Sequence, residues 1–260
     1  MPREPKPDPE YIMLDLPDGM PPVCCMVRRS LKAKRFLLRV CPRPFYVELA
    51  IPKKRSVASA LKFCESRIVW LAATIRRYGP RPEIMSRKPA ELRRIPEKIE
   101  LELTGETLRI AVEEMPGSEK ARCWYDPLFK QITIQGDPAN TKAVAKAFLA
   151  LLTQFAEPVL KARLHTHAAV MGLPVYPLRV RPEKTRWGCC FSAGPITLNS
   201  KLILFPPEAV DYVIVHELCH KFEMNHSERF KKKLEKYCPE WRLADSILRE
   251  CARNIPFFLH

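Results

Sequence analysis

Three histidines and two glutamates fall within eleven residues, His216-Glu217-Leu218-Cys219-His220-Lys221-Phe222-Glu223-Met224-Asn225-His226, and together they can bind a divalent metal and move a proton. If the segment is helical, His216 and His220 lie four apart on one face and can share one ion, the logic of the His-Glu-x-x-His pattern. A catalytic zinc takes three protein ligands and leaves its fourth position to water, so a third donor is needed. His226, six residues after His220, has the spacing at which several zinc peptidases return a histidine from the turn after the active-site helix. Met224-Asn225 must make that turn, and Asn tolerates left-handed backbone better than most residues. Glu223 could ligate in place of His226, or its carboxylate could orient a histidine. Glu217 is rotated off the ligand face, which leaves it free to act as general base toward a metal-activated water and then as proton donor to a leaving amine. The chemistry implied is hydrolysis of a peptide bond with Zn2+ as cofactor.

Other reactive side chains have plainer readings. Cys219 sits between the histidines but turns to the helix's other side, as a buried thiol would. Cys189 and Cys190 alternate along a strand, so one belongs to the core, and no general base is adjacent in sequence. Trp187 reads as a packing residue. His165 and His167 are two apart on a helix, which makes them poor co-ligands, and His260 is terminal. None of the ten cysteines has the two-residue spacing of a zinc ribbon, and two pairs are adjacent. Without a secretory leader they read as reduced thiols in a cytoplasmic protein.

The elements that must position these residues follow from pattern. Pro206-Pro207 opens the His216 helix, with apolar Val210, Val213, Ile214 and Leu218. Before it, Val175–Val180 reads as a strand, and Arg186–Phe191 with Ile196–Asn199 as a hairpin around Ser192-Ala-Gly-Pro. Thr141 to about Met171 is a long helix that Pro158 should kink or break and Gly172 should stop. Ser227–Tyr237 and Glu240–Cys251 are closing helices. Upstream, 99–103, 108–112 and 131–135 alternate as strands, and Ser56 caps a helix that ends before Gly79-Pro80. Residues 81–94 read as a connector. No internal repeat is visible.

Composition bounds the rest. Hydrophobic residues make up 47% and charged residues 28% of 260, which fits a folded globular chain with a core. The apolar runs are interrupted before the roughly 18 residues of a membrane span, so no membrane partner is expected. Lys plus Arg number 44 against 29 Asp plus Glu, a net charge of +15 that favours an acidic partner. Ten bases and one acid, Glu48, fall between Val27 and Arg55, in a stretch that reads as basic strands. Arg28, Arg29, Lys32, Lys34, Arg35 and Arg39 are the candidates for contact with nucleic acid. Seven of 26 prolines lie in positions 2–22, which argues for an extended lead-in with folding from Val23 onward. The division expected is a proline-rich tail over 1–22, a basic β-rich portion with one helix over 23–136, and the metal-binding portion over 137–260, the last two forming one integrated domain.

Arg186-Trp187-Gly188-Cys189-Cys190, Ile196-Thr-Leu-Asn199, Pro206-Pro207-Glu208, Asp211 through His220 and Glu223-Met-Asn-His226-Ser227 carry a further signal. They resemble the YgjP-like metallopeptidase family, related to the SprT-like and Wss1-like zinc proteases. The resemblance is dense over about 185–239 and looser upstream. It implies an α+β fold with a zincin-like core, made of a backing helix, a small sheet and the His-Glu-x-x-His helix. It also implies zinc ligands at His216, His220 and His226 and a catalytic acid/base at Glu217. Two departures stand out: Cys189-Cys190-Phe191 where the family usually has Ser-Cys-Ser, and Lys231 where it often has an aromatic residue. Relatives act on proteins crosslinked to DNA, which makes recruitment to nucleic acid an expectation by analogy. Two other functions fit the motif: a nucleic-acid-binding protein with a structural zinc, and a metal-dependent hydrolase of a non-peptide amide. A peptide substrate could add as a strand to the 175–204 sheet, with Tyr212, Tyr237, Arg186 or the ion itself stabilising the oxyanion.

Overall fold

Alternating apolar residues in β2 (Val23–Ser30) and β4 (Phe45–Pro52) build the first sheet, which β1 (Glu10–Leu14) and β3 (Leu37–Pro42) complete in the order β1-β2-β4-β3. β1/β2 and β3/β4 are antiparallel, while β2 and β4 run parallel. In this computed structural model residues 10–259 are described, except 32, 43–44, 81, 89–93 and 193. Lys32, His260 and the first nine residues of the expected tail therefore lie outside the described residues. The remainder of that tail is not a loose lead-in. Glu10 to Leu14 pair with Val27 to Val23, and Leu14 and Leu16 join the core, because Ile12 and Leu14 supply the strand alternation that the flanking prolines conceal.

Val23, Cys25, Val27, Val47, Leu49 and Ile51 share one core with Ala60 and Cys64 of α1 (Val57–Ser66) and Leu71, Ala72 and Ile75 of α2 (Ile68–Tyr78). The single helix expected from Ser56 is two. The Arg67 amide bonds back to the Cys64 carbonyl at 2.9 Å, a tighter three-residue closure that ends the first helix and turns the chain. Ser56 caps as expected, its Oγ accepting from the Ser59 amide at 3.2 Å. The connector after Gly79 holds a short α3 (Pro82–Met85) with Met85 buried. Among the basic residues, Arg28 is paired with buried Glu48 at 2.6 Å and Arg29 donates to the Arg55 carbonyl, while Lys34, Arg35 and Arg39 are exposed.

The chain divides into two compact units at Arg94/Ile95. β5 (Lys98–Leu101), β6 (Glu106–Glu114), β7 (Arg122–Asp126) and β8 (Gln131–Gly136) form a sheet in the order β5-β6-β8-β7. Its Leu108, Ile110, Ile132 and Ile134 share a core with Val144, Phe148 and Leu152 of α4 (Thr141–Val170), and Tyr125 meets Phe155 edge-on at 5.1 Å. That burial ties the sheet to the metal-binding half. The sheet also repeats the first unit's order and strand senses, antiparallel, parallel, antiparallel, so the fold holds a topological repeat.

α4 runs unbroken through Pro158. By length and composition it could cross a bilayer, with a mean hydropathy of 1.4 over its most apolar stretch, contrary to the expectation that no helix could. Here its stripe from Val144 to Ala168 is core. Beyond it, β9 (Leu178–Arg181), β10 (Gly188–Cys190) and β11 (Ile196–Asn199) form a sheet in the order β10-β11-β9, with β10 at an edge and the expected hairpin between β10 and β11. A 3-10 turn over Ser200–Leu204, α5 (Pro207–Cys219), α6 (Glu228–Tyr237) and α7 (Trp241–Arg253) complete the unit.

Candidate metal centre

Every residue of α5 from Ala209 to Cys219 is buried except Asp211 and His216. A helix apolar nearly all round is a core element, so its polar exceptions call for explanation. Asp211 accepts from Arg163 at 2.7 Å and lies 3.1 Å from His167 Nε2, tying α5 to α4. His216 instead faces the helix end, where His220 is the C-cap. The amides of Phe222 and Glu223 both return to the Cys219 carbonyl at 3.0 Å. Asn225 then turns the chain through its side chain, Oδ1 accepting from the Ser227 amide at 3.2 Å, not through a left-handed backbone as expected. His226 is delivered just before Ser227, whose Oγ caps α6.

The result is a cluster in which one ligand atom from each of His216, His220 and His226 lies within 4.8 Å of the others. Nε2 of His216 and Nε2 of His226 are 3.1 Å apart, so either a proton or a cation must lie between two lone pairs at that distance. Tetrahedral zinc with bonds of about 2.0–2.1 Å places its ligand atoms about 3.3 Å apart, so the spacing suits an ion. The tautomer at His220 also fits. Its Nδ1 is 3.1 Å from the Glu223 carbonyl, which only accepts, so Nδ1 carries the proton and Nε2 keeps its lone pair. Among the described residues His216 Nδ1 is buried without a hydrogen-bond partner, and packing orients that ring: Tyr212 lies edge-on at 5.8 Å and Phe230 at 5.0 Å. Burial pushes the His216 pKa down to about 4, with help from the neighbouring His220 and His226, and burial lowers His220 as well. Both are neutral donors at neutral pH, as metal binding requires.

Glu217 is buried on the same helix, one residue from His216, and burial raises its carboxyl to about 7 against the pull of the Arg186 charge. Room for it comes from β10. A Cβ added to Gly188 would sit 2.5 Å from Glu217 Cγ and Oε1, so the carboxylate packs directly on a backbone with no side chain. Gly188 and Phe230 are the two site residues that sequence reading missed. The Phe230 ring lies 4.7–5.0 Å from all three imidazoles and is almost wholly buried beneath them. The available signal was its place three residues after the Ser227 cap, in the first turn of the helix that follows His226.

A profile of the YgjP-like family, metallopeptidase domain, matches residues 36–251. This chain belongs to the YgjP-like metallopeptidase family. Among solved structures, the zymogen of Pyrococcus abyssi abylysin is similar at 26% identity over 37% of this chain and 94% of that one, with a TM-score of 0.33. The zymogen of Methanocaldococcus jannaschii jannalysin is similar at 24% identity over 34% and 93%, with a TM-score of 0.29. No curated protein matches. Membership in the YgjP-like metallopeptidases makes this a metal-dependent peptidase family's chain, acting on protein or peptide. Its three-histidine cluster is able to hold the metal.

The other expected residues of this YgjP-like chain are placed as follows. The Glu223 carboxylate is turned to Arg229, 3.7 Å away, so it is the residue's carbonyl, not its carboxylate, that orients His220. Cys219 is fully buried, its thiol pushed up to about 12 by burial. Trp187 packs on Phe205 with ring centroids 4.8 Å apart. Cys190 packs against the core, and Cys189 Sγ is 3.6 Å from Arg186 Nη1. Of the oxyanion candidates, Tyr212 is buried, which with the Asp245 charge pushes its hydroxyl up to about 12, and Tyr237 is stacked on Phe222, whereas exposed Arg186 acts electrostatically on Glu217.

Proposed function

We propose that this chain is a zinc-dependent peptidase in which His216, His220 and His226 hold the ion and Glu217 is the general base. The observation that carries this reading is the convergence of three imidazoles beside a carboxyl that is buried on the helix carrying His216. When bound, zinc supplies a Lewis acid for the scissile carbonyl and lowers the pKa of a water. Glu217 takes a proton from the attacking water on a carboxylate oxygen and then delivers it to the departing amide nitrogen. Gly188 keeps that carboxylate in place, and the Glu223 carbonyl and Phe230 ring fix the imidazoles. A zincin-like arrangement, with α4 backing α5 and the edge strand β10 beside Glu217, lets an extended peptide pair with β10.

Three donors with His226 exposed leave a coordination position open to solvent, which favours a catalytic ion over a structural one. Recruitment to nucleic acid is supported by Lys34, Arg35 and Arg39, whose charges are exposed.

The test measures bound zinc and casein hydrolysis in the wild type, Glu217→Gln and His226→Ala. About one zinc per chain is expected in the wild type and in Glu217→Gln, with cleavage lowered by about 10²–10⁴-fold in the latter. His226→Ala should lose most of its zinc. Full zinc in His226→Ala would overturn the ligand set, and unchanged cleavage in Glu217→Gln would overturn the base.

A further inference from the structure

Lys221 follows His220 directly, where an exposed lysine would ordinarily reach solvent. Its ammonium turns back instead. Nζ donates to the carbonyls of Phe191 at 2.7 Å, Gly194 at 3.0 Å and Ser192 at 3.4 Å, and it sits 4.3 Å over the Tyr176 ring. An ammonium has three N–H donors, and all three carbonyls belong to the turn between β10 and β11. Oriented carbonyls and an aromatic face make a cation seat that a neutral side chain cannot fill.

What the seat holds is the weakest part of the sheet. β10 has three residues, paired on one side by β11, and an edge strand held by so short a ladder has little of its own to fix its position. At its start Gly188 rests against Glu217. Just beyond its end, the turn is fastened by Lys221, the residue directly after the C-cap histidine. Both ends of β10 are thereby referenced to α5. We propose that Lys221 is a positioning residue that holds β10 at a fixed offset from the histidine cluster, so that a peptide pairing with this edge is presented in register. The inference rests on the peptidase reading for its consequence, while the tether itself can be measured without it.

The experiment compares wild type, Lys221→Met and Lys221→Arg. Amide hydrogen exchange is read across residues 188–198, and zinc content and casein hydrolysis are measured in parallel. In Lys221→Met, exchange in 188–198 should rise about tenfold while the amides of 209–219 stay as in wild type. KM for casein should rise about tenfold with kcat within twofold and zinc unchanged. Lys221→Arg keeps a cation with several donors and should recover at least half of the missing protection and of the KM change. Unchanged exchange in Lys221→Met overturns the tether, as does an equal rise throughout α5. A fall in kcat that tracks a loss of zinc, with KM unmoved, overturns its role in presenting substrate. If the wild type binds zinc and cleaves no casein, the peptidase reading fails on its own account and the exchange measurement decides the tether.

Discussion

The first and second four-stranded sheets have the same strand order and the same strand senses, yet among the described residues only the second leads into a cluster of metal-ligating side chains. After β4 the chain enters two short helices whose buried residues serve only to cover the sheet. After β8 it enters a 30-residue helix long enough to pack the sheet with one part and α5 with another, through Tyr125–Phe155 and Arg163–Asp211. The surfaces differ as well. Residues 10–52 carry seven bases and four acids, whereas residues 98–136 carry five bases and seven acids. One topology thus serves two ends: a basic sheet with no metal-ligating cluster among the described residues, and a mildly acidic one that supports a platform for three histidines.

The largest contrast should come from a single methyl group. Gly188→Ala places a carbon 2.5 Å from Glu217 Oε1, so the carboxylate must move. Casein turnover should fall about 10²-fold, within the span attributed to a misplaced general base, with zinc content unchanged. Leu49→Ala, a far larger deletion in the fully buried core of the first unit, should cost about 2–5 kcal/mol of stability and leave kcat of the folded protein within twofold. Comparable kcat losses in the two variants would show that the chemistry is not confined to the second unit.

A second contrast concerns charge and is smaller. Reversing Lys34, Arg35 and Arg39 to Glu should weaken binding of a single-stranded oligonucleotide by about tenfold or more and flatten its log-log salt slope by about 0.7 for each phosphate that is no longer neutralised. Reversing Lys98 and Arg122, exposed on the second sheet, and Lys130, exposed in its β7–β8 turn, should change neither. Equal effects from the two triples would mean that only net charge matters, and the basic sheet would lose its distinction.

What could be read in advance tracks how local each feature is. His216, His220 and His226 were legible because one helix and one turn set their separation. Gly188 was not, since its necessity comes from Glu217 on another element, and nothing in Trp187-Gly188-Cys189 announces that packing. Phe230 was hidden for the same reason. β7 escaped notice because Cys123-Trp124-Tyr125 offers no clean alternation, and without it the sheet's repeated order could not be seen. Gly136-Asp137-Pro138 is a strong turn signal, and it ends a strand within the second unit. Arg67 breaks the first unit's helix with no proline or glycine to mark it.

The smallest expected effect sharpens the comparison at the joint between α4 and α5, which the first unit does not have. Burial of Asp211 alone would raise its carboxyl, but hydrogen bonds from His167 and Arg163 outweigh that and hold it below its ordinary value. A carboxylate whose folded pKa is depressed adds stability above its unfolded pKa and loses that contribution as pH falls through the folded value. Asp211→Asn should therefore lower the second unit's unfolding free energy by about 1–2 kcal/mol at pH 7, a range kept modest because the side chains are partly exposed. The gap to wild type should stay flat down to the ordinary carboxylate range, about pH 4, and close at lower pH. Calorimetry that shows one transition lowered and the other unmoved supports a joint private to the second unit. A gap that persists undiminished well below about pH 3 would mean that Asp211 acts through packing and not through its charge.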